Sequence, residues 1–202
     1  MKVYHGTISS HAIDIGKNGI DLSRSKRYLD FGRGFYTTPD YEMAKNMAYR
    51  ALECETRKRK GTNYFPAIIS FEYQYNPLLI YRQFEYEDIE WAKFILSNRL
   101  PINISEKLGL MEHNFDQKYD IIIGGTADGS VADIASRLRF GQLKPQEYCI
   151  NLSDFLKRDG SSYGKQIVFC SEKALSCIKY IKYDNISYKK RGGNHERNCN
   201  QL

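Results

Sequence analysis

Apolar and polar residues follow recognisable periods in several short stretches of the chain, and each stretch predicts an element of secondary structure. Short apolar runs bounded by glycine or polar residues predict strands at residues 2–4, 34–37, 67–73, 119–123 and 165–170. Apolar residues at helical spacing predict helices at residues 40–60, 87–96 and 131–140, and shorter helical turns at 10–15, 153–157 and 171–177. Strands and helices mixed without regular alternation favour an α+β fold over a doubly wound α/β fold.

The clearest helix is predicted at residues 40–60, directly after Pro39. Asp40 and Glu42 suit the positive end of the helix dipole, the basic run at residues 57–60 suits the negative end, and Gly61 closes the helix. The apolar stripe of this helix consists of Met43, Ala44, Met47, Ala48, Ala51 and Leu52.

The composition is that of an ordinary globular protein of about one domain. Hydrophobic residues make up 42% of the 202 positions and charged residues 27%, which excludes the disordered and collagen-like classes. No apolar run approaches the roughly eighteen residues of a membrane span, and no signal peptide follows Met1, so we expect a cytoplasmic protein without membrane contact. The five cysteines form no C-x-x-C pair and the four histidines have no zinc-ligand spacing, so no metal site is predicted.

The net charge of +6 suggests a nucleic-acid partner, so its distribution along the chain matters. Residues 179–202 contribute +4 and residues 1–178 only +2. We therefore predict one domain at residues 1–183 and a basic, polar, disordered tail at residues 184–202. Action on RNA stays open as an alternative, helped by the tail and by four cations near the N-terminus: Arg24, Lys26, Arg27 and Arg33.

Two glycine-containing motifs near the N-terminus are the first candidates for a ligand site. In Tyr4-His5-Gly6-Thr7 the histidine can donate to a ligand hydroxyl, and the glycine lets a ligand approach the backbone closely. Residues 30–38 read Asp-Phe-Gly-Arg-Gly-Phe-Tyr-Thr-Thr, and an exposed tyrosine there offers a flat face for a planar ring. Each motif has a structural alternative, because a His-Gly pair is often a turn, and Phe35 and Tyr36 can be core residues beside a bulge.

Two later stretches are weaker candidates. Gln166, at the head of an apolar strand, can orient a ligand hydroxyl or can be a polar residue at a sheet edge. The loop at residues 124–129 reads Gly-Gly-Thr-Ala-Asp-Gly and can cradle a phosphate at a helix N-terminus. It lacks the Gly-Lys-Ser/Thr ending of a P-loop, and Asp128 would repel a phosphate, which favours a plain turn.

The order of these motifs resembles the ADP-ribosyltransferase superfamily and, more narrowly, an uncharacterised bacterial family placed within it, domain of unknown function 3990. The resemblance rests on Tyr4-His5-Gly6-Thr7, then residues 30–38, then a helix with an alanine-rich face. Weaker matches follow in Ser97-Asn98-Arg99, in the Tyr-Asp-Ile-Ile-Ile-Gly of residues 119–124, and in residues 166–175. The likeness spans residues 2–182.

The resemblance implies a split β-sandwich that binds NAD in a cleft, as a substrate and without a metal. By position, His5 would contact the adenosine-side ribose hydroxyl, Gly6 would hold the nicotinamide amide through its backbone, and Tyr36 would stack on the nicotinamide ring. Arg24 or Arg33 could meet the pyrophosphate. The implied catalytic residues are His5, Tyr36 and Gln166, and the implied NAD-binding residues are His5, Gly6, Thr7, Arg24, Gly32, Arg33, Gly34, Phe35 and Tyr36.

Gln166 is the main departure from the superfamily, because many of its transferases have a catalytic glutamate at this position. A neutral glutamine can orient the ribose 2′-hydroxyl but gives no full charge to the oxocarbenium-like ribose that forms when nicotinamide leaves. The narrower family carries glutamine here, and a compensating acid such as Asp30 or Glu172 is one hypothesis. Arginine modification is not expected, since the acid or glutamine that it requires two positions earlier is Gly164.

The implied function is that of an NAD-dependent mono-ADP-ribosyltransferase that releases nicotinamide and modifies a macromolecular acceptor, either protein or nucleic acid. A toxin of a bacterial toxin–antitoxin or phage-conflict system, with an antitoxin protein as partner, fits such a domain. Two alternatives remain: a catalytically weak module that binds NAD or another nucleotide, and an RNA-directed transferase.

Overall fold

The computed structural model describes residues 1–58, 63–127, 130–144, 147, 152 and 164–187, which form a mixed α+β fold, as the sequence predicts. The chain divides into two compact units. Unit 1 comprises Met1–Asp21, Thr37–Tyr75 and the described part of Ser176–Leu202. Unit 2 comprises Leu22–Tyr36 and the described part of Asn76–Leu175.

Unit 1 is built on a three-stranded antiparallel sheet. Its elements are β1 (Lys2–Ile8), α1 (Ser9–Asn18), α2 (Tyr41–Lys58), β3 (Pro66–Tyr73) and β7 (Ile178–Asn185). The strand order is β1-β3-β7, so β3 is the central strand. Ala44 and Ala48 on the buried face of α2 pack with Ile68 of β3, and these small side chains bring the helix backbone close to the sheet.

Unit 2 contains a four-stranded mixed sheet. Its elements are β2 (Phe35–Thr37, of which Thr37 is counted in unit 1), β4 (Tyr81–Gln83), α3 (Ile89–Arg99), α4 (Ile102–Lys107), β5 (Ile121–Gly125), α5 (Ser130–Arg139), β6 (Lys165–Phe169) and α6 (Glu172–Leu175). The strand order is β2-β6-β5-β4, and β4 runs parallel and β6 antiparallel to β5. The core of unit 2 includes Phe31, Trp91, Phe94 and Val168, and most of α3 is buried in it.

The strongest periodic patterns are confirmed. The helix predicted at residues 40–60 is α2, and its first turn is capped by Asp40, whose carboxylate accepts the N–H groups of Glu42 (2.8 Å) and Met43 (3.1 Å). The predicted helices at 87–96 and 131–140 correspond to α3 and α5. The predicted end at Gly61 and the predicted turn at 153–157 lie outside the described residues.

The structure corrects the predicted boundary of the tail. Strand β7 runs to Asn185, so residues 184 and 185 belong to the sheet, and the N–H of the following Ile186 donates to Pro66 O at 2.9 Å. Lys179 and Lys182, which the charge count assigned to the tail, lie in this strand. Its Ile-Lys-Tyr-Ile-Lys-Tyr pattern is mostly exposed, so apolar periodicity gives little sign of it. The pattern also fails to predict the short elements β4 and α4.

Candidate functional site

The edge of β1 opposite β3 offers a backbone donor and acceptor at Gly6. Met1 and Tyr73 exchange two backbone hydrogen bonds of 2.7 Å, so the odd-numbered residues of β1 bond to β3. Tyr4 instead exchanges backbone hydrogen bonds with Thr38, at 2.8 and 2.9 Å. Because backbone groups alternate along an antiparallel strand, the N–H and C=O of Gly6 face the same edge as those of Tyr4. No described residue bonds to these two groups of Gly6.

Gly6 is a glycine because α2 packs directly on it. A Cβ at this position would lie 1.9 Å from Ala44 O and 2.7 Å from Ala48 N, which are backbone atoms that cannot rotate away. The helix can approach the strand this closely only because residue 6 has no side chain. Gly6 therefore has a packing role as well as an accessible edge.

Side chains alternate between the two faces of a strand, so those of His5 and Thr7 lie on the face of β1 that is turned away from α2. His5 is half-buried, whereas Thr7 is buried. The Thr7 hydroxyl lies 3.4 Å from His11 Nδ1 of α1. This contact gives Thr7 a local structural role, and a role in NAD binding stays a prediction.

In unit 2, Asp30 is the centre of a buried polar network. Its Oδ1 accepts hydrogen bonds from the Arg99 guanidinium, with Nε at 2.6 Å and the other contacting nitrogen at 2.5 Å. Its Oδ2 accepts from Ala127 N at 3.1 Å and from Gln166 Nε2 at 3.2 Å. The carboxylate is 6% exposed, so these partners replace the water that the buried charge has lost.

Gln166 lies in β6 and is 2% exposed. Its Nε2 donates to Asp30 Oδ2 at 3.2 Å and to Gly125 O at 3.3 Å. Both neighbours are acceptors only, so the amide nitrogen must face them and the amide orientation is fixed. No described residue donates to Gln166 Oε1. The network thus uses both donors of the amide and leaves its acceptor for a ligand hydroxyl.

Tyr36 is held by the loop that precedes it. Its hydroxyl donates to Gly32 O at 2.7 Å and accepts from Phe31 N at 3.0 Å, while the ring packs on the core of unit 2. The hydroxyl is buried although the residue keeps part of its surface exposed. Burial, followed by the negative charge of Asp30, raises the pKa of Tyr36 well above its ordinary value, so the phenol stays neutral.

The other members of the second motif have packing reasons for their identity. Gly32 has a φ of +76°, and a Cβ there would lie 3.0 Å from Asn98 Oδ1. A Cβ at Gly34 would lie 2.5 Å from Val168 Cγ1, and the Gly34 N–H donates to Ser25 Oγ at 2.9 Å. Phe35 is buried. Contacts of these residues with NAD stay predictions, and the geometry favours a supporting role.

The two arginines predicted to meet a pyrophosphate lie in the same part of unit 2. Arg24 ends the short 3₁₀ turn Leu22–Arg24, and Arg33 lies within the second motif. Both side chains are exposed. No described carboxylate forms an ion pair with Arg33, so its guanidinium can meet an anionic ligand without breaking an existing pair.

The two acids suggested as partners of Gln166 differ in position. Asp30 is bonded to it directly, whereas Glu172 lies exposed in the first turn of α6. A further carboxylate that the sequence did not single out is that of Glu87. A Cβ at Gly125 would lie 2.1 Å from Glu87 Oε1, so this glycine makes room for the carboxylate close to the carbonyl that accepts from Gln166.

Sequence reasoning gave no role to three other members of the network. They are Arg99, which neutralises Asp30, the Ala127 N–H, and Trp91, whose Nε1 donates to Gly125 O at 3.1 Å. The available signal was the run Ser97-Asn98-Arg99 at the end of a largely apolar helix, where Ser97 and Asn98 are fully buried. Polar residues at buried helical positions predict partners from elsewhere in the chain.

The remaining candidates add no chemistry. Ala127 N–H in the predicted phosphate loop is bonded to Asp30, and residues 128–129 lie outside the described residues. Gly164 has a φ of +87°, a conformation that favours glycine over an acid. Burial raises the pKa of the Cys170 thiol to about 12. Within the described part of the chain, no three His, Cys, Asp or Glu side chains are grouped so as to hold a metal ion.

The comparisons with known proteins give a family and no activity. None of the described helices has the length and apolar composition needed to span a bilayer. No curated protein and no solved structure matches the chain. The model of the family described as "Protein of unknown function (DUF3990)" matches residues 1–180, which is most of the chain. The chain therefore belongs to the DUF3990 family.

Proposed function

We propose that this chain is an NAD-dependent mono-ADP-ribosyltransferase with the split β-sandwich of that superfamily, releasing nicotinamide and transferring ADP-ribose to a macromolecular acceptor. The observation that carries the proposal is the backbone donor and acceptor of Gly6 at the edge of β1, next to His5. Two separate sheets, of three and four strands, are compatible with the fold.

The Gly6 edge matches a primary carboxamide. The N–H can donate to the carboxamide oxygen, and the C=O can accept from the carboxamide NH₂, as in one further step of a strand ladder. Nicotinamide carries this group. A carboxylate in its place has no N–H to donate and would put a negative charge against the Gly6 carbonyl.

Gln166 and Asp30 are the groups that we assign to the reacting ribose. The C1′–N bond breaks with its electron pair going to the nicotinamide nitrogen, and the acceptor nucleophile then attacks C1′ and loses its proton. Gln166 Oε1 accepts from the 2′-hydroxyl and fixes the ribose. Asp30, 3.2 Å behind the amide nitrogen, polarises the glutamine and places a negative charge near the developing cation, although Arg99 neutralises part of it.

The other assigned residues bind and orient. His5 donates to the adenosine-side ribose hydroxyl, and Tyr36 offers its ring to the nicotinamide, since its fixed hydroxyl holds the ring in one orientation. Arg33, with Arg24, meets the pyrophosphate. We propose a cytoplasmic location, where NAD is available as the substrate.

The test compares NAD with its nicotinic acid analogue, in which a carboxylate replaces the carboxamide. We expect release of nicotinamide from NAD, and release of nicotinic acid from the analogue at a rate lower by roughly tenfold or more, because one hydrogen bond is replaced by a repulsion. His5→Ala should lower the rate, while Lys17→Ala, an exposed cation of α1, should leave it unchanged. Equal use of both dinucleotides would contradict the role of Gly6, and no release from either would contradict transfer.

A binding module is the second candidate, and Gln166 favours it. Both amide donors are committed to the fold, and the residue carries no charge of its own. A protein of this kind would bind NAD, with the same preference over the nicotinic acid analogue, and release nothing. Calorimetric NAD binding without detectable nicotinamide would support the module and exclude the transferase.

A toxin role follows if the acceptor is an essential macromolecule, and an antitoxin protein would then be its partner. Expression from a tightly controlled promoter should arrest growth, and Gln166→Ala should relieve the arrest. Growth that is unaffected by the wild-type chain, despite measured NAD turnover, would count against a toxin.

A further inference from the structure

A stack of aromatic and cationic side chains lies at the surface of unit 2 and contains none of the residues assigned to NAD. The rings of His113 and Phe115 stack with centroids 4.9 Å apart. The Arg27 guanidinium lies 5.5 Å from the Phe115 centroid and 5.8 Å from that of Tyr28. The Arg139 guanidinium lies 4.4 Å from the Tyr28 centroid. The five residues come from three separate segments of the chain, and we call them the Arg-aromatic stack.

The two arginines of the stack are exposed and have no carboxylate partner among the described residues. Arg82, by contrast, donates to Glu112 at 3.2 Å, and Arg137, in the last turn of α5, lies 4.0 Å from Asp133. A guanidinium that lies flat over a ring makes contact through the guanidinium face, so the N–H groups in the guanidinium plane remain available. Such an arginine is pre-oriented to donate two parallel hydrogen bonds to a phosphate.

An exposed aromatic residue follows one member of the stack in the sequence. Phe140 directly follows Arg139, and 72% of its surface is exposed. Its backbone N–H continues α5 by donating to Ser136 O at 3.0 Å, so the residue is held at the helix end. Arg24, Lys26 and Arg33 add exposed positive charge on the segment that supplies Arg27. Cations combined with accessible ring faces are the features that bind the phosphates and bases of a single strand.

We propose that the Arg-aromatic stack and Phe140 bind single-stranded nucleic acid. Arg27 and Arg139 contact successive phosphates, and Phe140 offers a face for a base. An acidic polypeptide would also pair with the arginines, but it gains nothing from the exposed ring of Phe140. The binding does not require NAD turnover; only the consequence that nucleic acid is the acceptor rests on the proposed function.

The experiment measures fluorescence anisotropy of the full chain with labelled single-stranded RNA, single-stranded DNA and poly-glutamate, over about 50 to 200 mM salt. Combined Arg27→Ala and Arg139→Ala should weaken nucleic-acid binding by roughly tenfold or more and reduce the slope of log K against log salt by about 1.4, or about 0.7 for each lost phosphate contact. The matched control, Lys93→Ala with Lys107→Ala, removes two exposed cations elsewhere in unit 2 and should change little.

Phe140→Ala separates stacking from charge. It should weaken binding about fivefold or more with an unchanged salt slope, and Phe140→Trp should restore it. Because the ring is largely exposed, this variant tests the proposal even if the double arginine variant unfolds. The RNA and DNA arms distinguish the source of the strand, and incubation with NAD is not needed for any of them.

Three results would overturn the proposal. The first is the absence of wild-type binding at the lowest salt. The second is a double arginine variant that melts at the wild-type temperature and binds as the wild type does, which would place the contact elsewhere, as in the basic sequence of residues 188–202. The third is equal binding of poly-glutamate together with no effect of Phe140→Ala, which would assign the surface to an acidic protein.

Discussion

The two units bury different kinds of polar side chain. In unit 1 the buried polar residues that are described all carry hydroxyls, and they are Thr7, Thr37, Thr38 and Ser70. In unit 2 they include two carboxylates and three amides, which are Asp30, Asp120, Asn98, Asn114 and Gln166. The candidate residues reflect this difference, because those of unit 1 offer backbone groups of a strand edge and those of unit 2 form a network of side chains.

This difference shows what the candidate groups of each unit depend on. A hydroxyl can bond to a nearby group, whereas a buried carboxylate needs several donors. Asp30 obtains them from residues 69 and 136 positions away, at Arg99 and Gln166. The Gly6 edge depends only on strand pairing and on the absence of a side chain. We therefore expect unit 2 to be sensitive to changes of charge and unit 1 to changes of shape.

The largest effect is expected for Asp30→Ala. The change removes the acceptor of Arg99, Ala127 N and Gln166 Nε2 and leaves a guanidinium partly buried without a partner, at a cost of about 3–5 kcal/mol in the free energy of unfolding. Denaturant unfolding measures this loss of stability. The control is Asp133→Ala, which removes an exposed ion pair with Arg137 within α5 and should cost less than about 0.5 kcal/mol. Equal effects of the two variants would show that the network does not stabilise unit 2.

The second largest loss of stability is expected for Gly6→Ala, which adds side-chain volume and leaves the charge unchanged. The added Cβ meets the backbone of α2 at 1.9 Å, so the helix must move, at a cost of about 3 kcal/mol. Gly16→Ala is the matched control, because its Cβ would be 3.2 Å from the end of the Tyr180 side chain and alanine favours the helix α1. The melting temperature should fall for the first variant and stay or rise for the second. A Gly6→Ala protein with unchanged stability would refute the close packing of α2 on β1.

Gln166→Glu should have a smaller effect on stability but a clear one on activity. The glutamate loses both donors and faces the Asp30 carboxylate and a carbonyl, so we expect a loss of about 1–3 kcal/mol and a lower rate of nicotinamide release. This is the opposite of what a comparison with glutamate-containing transferases suggests. Rates of nicotinamide release by Gln166→Glu and Gln166→Ala distinguish the two expectations, and a faster glutamate variant would contradict the role proposed for Asp30.

The smallest expected effect is a change in how the free energy of unfolding depends on pH under acidic conditions. Burial by itself raises the pKa of Asp120, but hydrogen bonds from the Ser171 hydroxyl and the Ile80 N–H, with the charge of Lys173, outweigh it and lower the pKa below the ordinary value. A lowered pKa gives stability that is complete above the ordinary value and is lost as the pH falls below about 4 towards the pKa of the folded protein. Asp120→Asn should therefore flatten the loss of stability in acid.

Trp91 is the reporter for this measurement, since it is the single tryptophan and is buried in unit 2. Its fluorescence should change at a higher pH than the protection of the β1 amides in hydrogen exchange. Coincident transitions of both probes, in the wild type and in Asp120→Asn, would show that buried carboxylates do not distinguish the two units.

The sequence indicates candidate residues for the site wherever the groups concerned are local. The first motif already indicated the Gly6 backbone, and Tyr36 and Gln166 were singled out as candidate residues. Arg99 and the Ala127 N–H were given no role, because their partner Asp30 is far away in the sequence. Glu87 was not distinguished from its acidic neighbours, since only packing brings its carboxylate to Gly125.

The sequence by itself determined the mixed α+β class, the helix α2 with its acidic start and basic end, and the family, because these depend on local periodicity, on charges near the helix ends and on adjacent motif residues. Only the tertiary structure decided which donors and acceptors remain for a ligand. The free edge of Gly6 depends on the pairing of β1 with β3, and the fixed orientation of Gln166 depends on Asp30. Hydrogen-bonding capacity left over after folding is a property of the whole set of partners, and those partners meet only when distant segments pack together.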